Sequence, residues 1–181
     1  MLDIRWYGRG GQGAFTAARL MGQTVSVYGG SFALASPSFG PERRGAPVWS
    51  YTKIDDRKIV DRSQPVQCDY LVVLDETLVT EDIGKFLHDN GVMILNTAKP
   101  KNYQGITKNL VTLNATKMAL DTLGRPITNV AMLGALLGVS GISGTEDAGK
   151  ALERTFAKSI CEKNKMLMQQ AYDVVKGGSN E

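Results

Sequence analysis

The sequence predicts an α/β fold, a three-layer sandwich around a largely parallel sheet, closed by a helical C-terminal region. Three observations carry that expectation. Short apolar or alternating runs at 2–7, 70–74, 92–95 and 110–113 read as strands. Helix-spaced runs separate them, and strands alternating with helices build parallel sheets. From Thr145 to about Val175 the chain is strongly helical, with Leu152, Phe156 and Ile160 at fourfold spacing, then Leu167, Ala171 and Val174 or Val175.

Taken in order, Leu2, Ile4 and Trp6 alternate with Asp3, Arg5 and Tyr7, the pattern of a half-buried strand, and the run from Gly8 to Gly13 breaks it. Ala14 to about Tyr28 reads as a helix ended by Gly29-Gly30. Ser31–Ser36 reads as a second strand, and Pro37–Pro47 is too rich in proline and glycine for regular structure. Val48–Ile54 resumes a strand, and Asp55-Asp56 suits a turn into Lys58-Ile59-Val60. Tyr70–Leu74 is a strand apolar on both faces. Residues 79–88 read as a short helix, and Asn90-Gly91 as a turn into the strand Val92–Leu95. A loop over Asn96–Gly105 leads to the strand Leu110–Leu113 and a helix over Ala115–Leu123. Asn129–Val139 suits a tightly packed helix, and the long C-terminal helical stretch should break near Ile160-Cys161. Residues 1–176 are expected to form one domain and 177–181 a flexible tail.

Composition narrows the function. The 181 residues are 43% hydrophobic and 22% charged, ordinary globular usage that argues against disorder. A net charge of +3, scattered along the chain, offers no basic face for nucleic acid. Cys68 and Cys161 have no Cys-x-x-Cys partner, which speaks against an internal iron–sulfur cluster or zinc motif; they read as small buried or half-buried residues in a reducing compartment. The N-terminus starts a strand pattern at once and lacks a signal-peptide core, and no stretch is long enough to span a bilayer, so a cytoplasmic chain without membrane contact is expected.

Gly8, Gly10 and Gly13 satisfy the dinucleotide fingerprint between a strand and a helix, where glycine lets backbone approach a phosphate and the helix N-terminus favours its charge. A nicotinamide site also wants a carboxylate at the end of the next strand, about 20 residues on. Ala33–Ser38 supplies none before Glu42. A tight structural turn therefore stands beside a phosphate cradle. In Ser38–Pro47, Arg43 and Arg44 offer planar, permanently charged forks for phosphate or carboxylate, or pair with Glu42 or a neighbouring chain. Gly134 and Gly138 share one helical face, which invites close packing, and Thr128 or Asn129 is placed to cap that helix. His88 reads as a surface residue at a polar helix end, and Asp75-Glu76 as a cap for the helix after the central strand.

The ordered set formed by Gly8–Gly13, Gly40–Pro47, Asp69–Asp75 and Asn129–Gly138 resembles the gamma subunit, or gamma domain, of pyruvate and related 2-oxoacid:ferredoxin oxidoreductases, over nearly the whole chain. The resemblance implies a complex that decarboxylates a 2-oxoacid on thiamine diphosphate, passes electrons through [4Fe-4S] clusters to ferredoxin and delivers the acyl group to coenzyme A. It further implies alpha, beta and delta partner subunits. Alpha and beta would hold thiamine diphosphate, and beta and a ferredoxin-like delta the clusters. The gamma chain itself would hold no cofactor or metal, contribute no catalytic group and be inactive alone. Within that frame Gly8, Gly10, Gly11, Gln12 and Gly13 are expected to form a backbone cradle facing an active-site neighbour or coenzyme A, with Arg43 and Arg44 making interface or phosphate contacts. A small subunit of an indolepyruvate or 2-oxoglutarate enzyme, an independent nucleotide-dependent oxidoreductase and a pure interaction subunit are the alternatives.

Overall fold

A computed structural model describes residues 1–37 and 44–178. Its centre is strand β1 (Leu2–Arg9), which runs antiparallel to β3 (Pro47–Asp55) on one side and parallel to β4 (Cys68–Val73) on the other. Strands β5 (Leu87–Asn96) and β6 (Leu110–Leu113) extend the parallel part, and β2 (Phe32–Pro37) pairs antiparallel with β3 at the far edge. The six-stranded order is β2-β3-β1-β4-β5-β6. The mixed sheet is thus mostly parallel, as the alternation of strands and helices predicts.

Period-two alternation sends Ile4, Trp6, Val72, Leu74 and Ile94 to one face, where all five α-helices pack. Helix α1 (Ala14–Gln23) lies against β1, β2 and β3 and relaxes into a π-helical turn at Thr24–Tyr28. Thr24 Oγ1 donates to the Leu20 carbonyl at 2.8 Å and Ser26 Oγ to that of Gly22 at 2.7 Å, back-bonds that loosen regular α pairing there. Helix α2 is Ala115–Leu123, α3 Asn129–Ser140, α4 Thr145–Thr155 and α5 Lys158–Gly178. Helix α3 is apolar all round because it lies between the sheet-side layer and α5. A Cβ on Gly134 would come within 2.1 Å of the Met168 carbonyl oxygen, so only glycine allows this approach of α3 to α5.

The opposite face carries Leu71, Val73, Met93 and Leu95, roofed by Ile83, Phe86 and Tyr103 from two short 3₁₀ segments. Tyr7 and Trp49 stack there at 3.5 Å, and the buried Arg5 guanidinium lies over Trp49 and Phe86 at 4.9 and 4.6 Å from the ring centroids.

Several boundaries depart from the sequence expectation. Strand β1 does not stop at Gly8: Gly8 and Arg9 pair with Val48 and Pro47. No strand forms at Lys58–Val60, where the chain instead crosses the sheet edge, held by Arg5 Nη2 donating to the Pro65 and Val66 carbonyls and by the Lys53–Asp61 ion pair at 2.8 Å. The helix expected over 79–88 is a single 3₁₀ turn at Ile83–Phe86, after which Leu87 already pairs with Cys68. His88 is therefore an exposed strand residue, and Asn90-Gly91 is not a turn but the place where the β4–β5 register shifts. A Cβ on Gly91 would meet the Cys68 and His88 carbonyl oxygens at 3.0 Å. The C-terminal helices separate at Phe156, in extended conformation, rather than at Ile160-Cys161. Helix α5 continues through Gly177 and Gly178, past the expected Val175; the rest of the expected tail lies outside the described residues. No helix among the described residues is long and apolar enough to cross a membrane.

Candidate functional site

Strands β1, β4, β5 and β6 end at one edge of the sheet, and the segments that follow them meet there. This carboxyl edge is where ligands gather in open α/β sheets. A cleft of about 710 Å³ opens along it, lined by Gln12, Asp75, Glu76, Thr97, Lys117 and Thr128 among others. Asn96 stitches its floor: its Nδ2 donates to the Leu74 carbonyl and to Thr116 Oγ1, both at 2.9 Å, and its Oδ1 accepts from the Thr116 amide at 3.2 Å.

The glycine loop is built into the sheet. The Gly10 amide donates to the Ala46 carbonyl at 2.8 Å and the Gly45 amide to the Gly10 carbonyl at 3.0 Å, prolonging the β1–β3 ladder by a step. That exchange brings Arg44 beside Gly11, although they stand 33 positions apart in sequence. Gly11 and Gly13 both have left-handed φ, +96° and +81°, which disfavours any side chain. A Cβ on Gly13 would lie 2.5 Å from Asn129 Nδ2, whereas among the described residues only Arg44 Cγ, chain neighbours aside, comes within 4 Å of one on Gly11. Gly13 caps α1 without a side-chain bond. The first-turn amides of α1, which have no acceptor within the helix, therefore lie next to the exposed Gly11 and Arg44.

One carboxylate holds this loop. Asp75 Oδ2 accepts from Arg9 Nε at 3.1 Å and from Gln12 Nε2 at 2.9 Å, and its Oδ1 accepts from the Thr77 amide and hydroxyl at 3.0 and 2.6 Å. Gln12 Oε1 in turn accepts from the Arg9 amide at 2.7 Å, and Arg9 Nη1 and Nη2 donate to the Gly45 carbonyl and Thr77 Oγ1. Burial pushes the Asp75 carboxyl up, but the hydrogen bonds from Thr77 and Gln12 and the Arg9 charge outweigh it and hold Asp75 below the usual carboxylate range. Asp75 does cap a following 3₁₀ turn (Glu76–Leu78), as the sequence suggests, and it also clamps the glycine loop, which the sequence does not reveal.

Of the residues expected at the site, Gly10, Gly11, Gly13 and Arg44 come together at the exposed end of the loop. Gly8 is buried in β1, and the Gln12 side chain turns inward to Asp75, so both support the loop from beneath. Arg43 lies outside the described residues. Arg9, Asp75 and Asn129 are the positioning residues that sequence reasoning did not assign to the site. Asn129 does not cap α3 from the Ncap position; its Oδ1 accepts from the Val130 amide, and its Nδ2 donates to the Gly13 carbonyl at 3.5 Å. The only hint of Asp75 was its place just beyond a buried central strand.

A nicotinamide site does not fit this arrangement. The strand after α1 pairs with β3 and not with β1, so its end does not lie beside the glycine loop as a ribose-binding carboxylate must. For metals, among the described residues no group of three or more His, Cys, Asp or Glu side chains is placed to hold an ion. Cys68 is buried, its thiol pushed up to about 12 by that burial, and donates to the Phe86 carbonyl.

Residues 3–174 match the family described as Pyruvate ferredoxin/flavodoxin oxidoreductase. The chain is 44% identical over 176 residues to pyruvate synthase subunit PorC of Methanothermobacter thermautotrophicus, covering 97% of this chain and 96% of that protein. It is 40% identical over 179 residues to the pyruvate/ketoisovalerate oxidoreductases common subunit gamma of Pyrococcus abyssi, covering 96% of both. Its fold matches the crystal structure of pyruvate oxidoreductase subunit PORC from Thermotoga maritima with a TM-score of 0.83 and 32% identity, over 95% of each chain. On this similarity the chain belongs to the pyruvate ferredoxin/flavodoxin oxidoreductase family.

Proposed function

We propose that this chain is the gamma-type subunit of a pyruvate:ferredoxin oxidoreductase, the enzyme that converts pyruvate, coenzyme A and oxidised ferredoxin to acetyl-CoA, carbon dioxide and reduced ferredoxin. The observation that carries this reading is the 44% identity to a pyruvate synthase subunit over nearly the whole length of both chains. The reading treats residues 1–176 as one gamma-type domain acting in the cytoplasm beside alpha, beta and delta subunits. Thiamine diphosphate and [4Fe-4S] clusters supply the carbanion and electron-transfer chemistry from those neighbours. The two buried, separated thiols of this chain offer no cluster-ligand set.

This chain's own contribution is the clamped loop. Gly10, Gly11 and Gly13, the first-turn amides of α1 and Arg44 present positive potential at an exposed, backbone-lined surface, which suits the phosphates of coenzyme A. Arg43, next in sequence to Arg44, is assigned to the same contact. Asp75 and Glu76 make the adjoining cleft acidic, so it suits the neutral amide and hydroxyl groups of such a ligand and not its phosphates. That acidity equally favours a second reading, in which the loop meets only a neighbouring subunit.

The two readings separate on Arg44→Ala. Arg44 is exposed, so the free chain should keep its melting temperature. In the assembled enzyme the KM for coenzyme A should rise by about tenfold or more, the scale of a lost charge-assisted phosphate contact. An unchanged KM with weakened assembly would assign Arg44 to the subunit interface. Unchanged KM and unchanged assembly would remove it from both.

A further inference from the structure

Helices α2 and α5 lie side by side and leave a groove on the surface away from the sheet. One part is a cavity of about 530 Å³ walled by Leu123, Ile127, Phe156 and Ile160, with the buried amides of Asn129 and Asn164 at its floor. The next part, about 390 Å³, lies between Met118 and Met166, and Lys163 lines both. Ile127, Ile160 and Met166, 44–58% exposed, form an apolar row along it. From Ile160 to Met166 the row rises about 9 Å along α5.

Several lysines on the helices are neutralised by carboxylates of this chain. Lys165 pairs with Glu153 and Glu162, Lys150 with Glu146 and Asp147, and Lys117 with Asp121. Among the described residues, Arg125 and Lys163 alone on the groove wall face no carboxylate within ion-pair distance, and the one acid lining it, Asp121, is taken by Lys117. An apolar trough with two unmet cations calls for an apolar partner that brings its own carboxylates. A second copy of this chain is disfavoured, because a two-fold contact would set this cationic rim against itself.

We infer that the α2–α5 groove receives an amphipathic segment of a partner subunit, with apolar side chains at helical spacing seated along Ile127, Ile160 and Met166 and carboxylates meeting Arg125 and Lys163. The inference rests on the reading that the chain works within a multisubunit oxidoreductase, and it names a surface by which the chain is held there.

The test uses the complex assembled from its purified subunits. A photoreactive benzoylphenylalanine at Ile160, irradiated in the complex, should cross-link to a stretch of another subunit that carries helix-spaced apolar residues and an Asp or Glu within reach. Ile160→Asp and the double variant Arg125→Glu with Lys163→Glu should each weaken assembly by about tenfold or more, while the free chain keeps its melting temperature, because all three side chains lie on the groove surface. Cross-linking to a second copy of this chain, to no polypeptide, or to a segment without a carboxylate would overturn the inference. So would normal assembly of both variants. In each of those cases an active complex still forms, so the subunit reading survives; failure of the unaltered chain to join any complex would overturn both.

Discussion

Replacing Asp75 with alanine would release four donors together: Arg9 Nε, Gln12 Nε2 and the amide and hydroxyl of Thr77. The cost should be about 1.5–3 kcal/mol, the range for hydrogen bonds made to a charged group. Differential scanning calorimetry should show a melting temperature lower by roughly 3–12 °C, at about 2–4 °C per kcal/mol for a chain of this size. The pH dependence has a definite sign. The folded-state pKa of Asp75 lies below its unfolded value of about 3.9. Its stabilisation is therefore complete above that value and disappears as pH falls through the lower folded value. The gap in stability between the wild-type chain and Asp75→Asn should hold from pH 7 to about pH 5 and shrink as pH falls below about 4; a gap that does not shrink with acidification would mean the charge is irrelevant. At this scale the sequence is legible only in part. Gly11 and Gly13 stand out because positive φ leaves glycine little competition. The clamp joins residues more than sixty positions apart, and no local pattern records it. Arg44 was visible as a charge, but its place beside Gly11 depends on the β1–β3 ladder.

Helix α3 shows which elements a sequence discloses readily. Its uninterrupted apolar run leaves no polar face, and a helix without a polar face must be covered on all sides. The two glycines at fourfold spacing announce a close neighbour, and α5 is that neighbour. Gly134→Ala should consequently cost about 3 kcal/mol or more, at the upper end for an overpacked core, because the obstacle is the backbone carbonyl of Met168 and no side-chain rotation relieves it. Urea denaturation of the variant should show a lower midpoint with an unchanged slope; a loss under about 1 kcal/mol would mean that α5 moves aside at little cost. Elements bounded by weaker signals were harder to read. Residues 79–88 mix apolar and charged side chains at spacings that suit a helix, yet pairing of Leu87 with Cys68 claims the end of that stretch for the sheet. The break between α4 and α5 falls at Phe156, whose helix-like spacing with Leu152 and Ile160 hid its extended backbone.

At the scale of the molecule, the layered α/β architecture was legible because strand and helix periods alternate along the chain. The antiparallel placement of β3 between β1 and β2 was not, since strand order depends on contacts that periodicity does not encode. The same whole-molecule view bears on activity. Expressed alone, the chain should fold with a single cooperative transition, contain no stoichiometric iron and fail to reduce a viologen dye with pyruvate and coenzyme A. Metal analysis and the dye assay check this, and iron or turnover comparable with the complex would contradict it. The order of the sheet also has a consequence in time. The central strand β1 is made first, but its neighbours β3 and β4 are complete only at Asp55 and Val73. At usual translation speeds the interval between Arg9 and Val73 is roughly 3–13 seconds. During that wait Ile4 and Trp6, which end fully buried, have no sheet to enter, and the lid that α5 places over α3 arrives later still. The nascent chain thus leaves the ribosome with an apolar central strand exposed longest, and a chaperone that guards it should bind near residues 2–9.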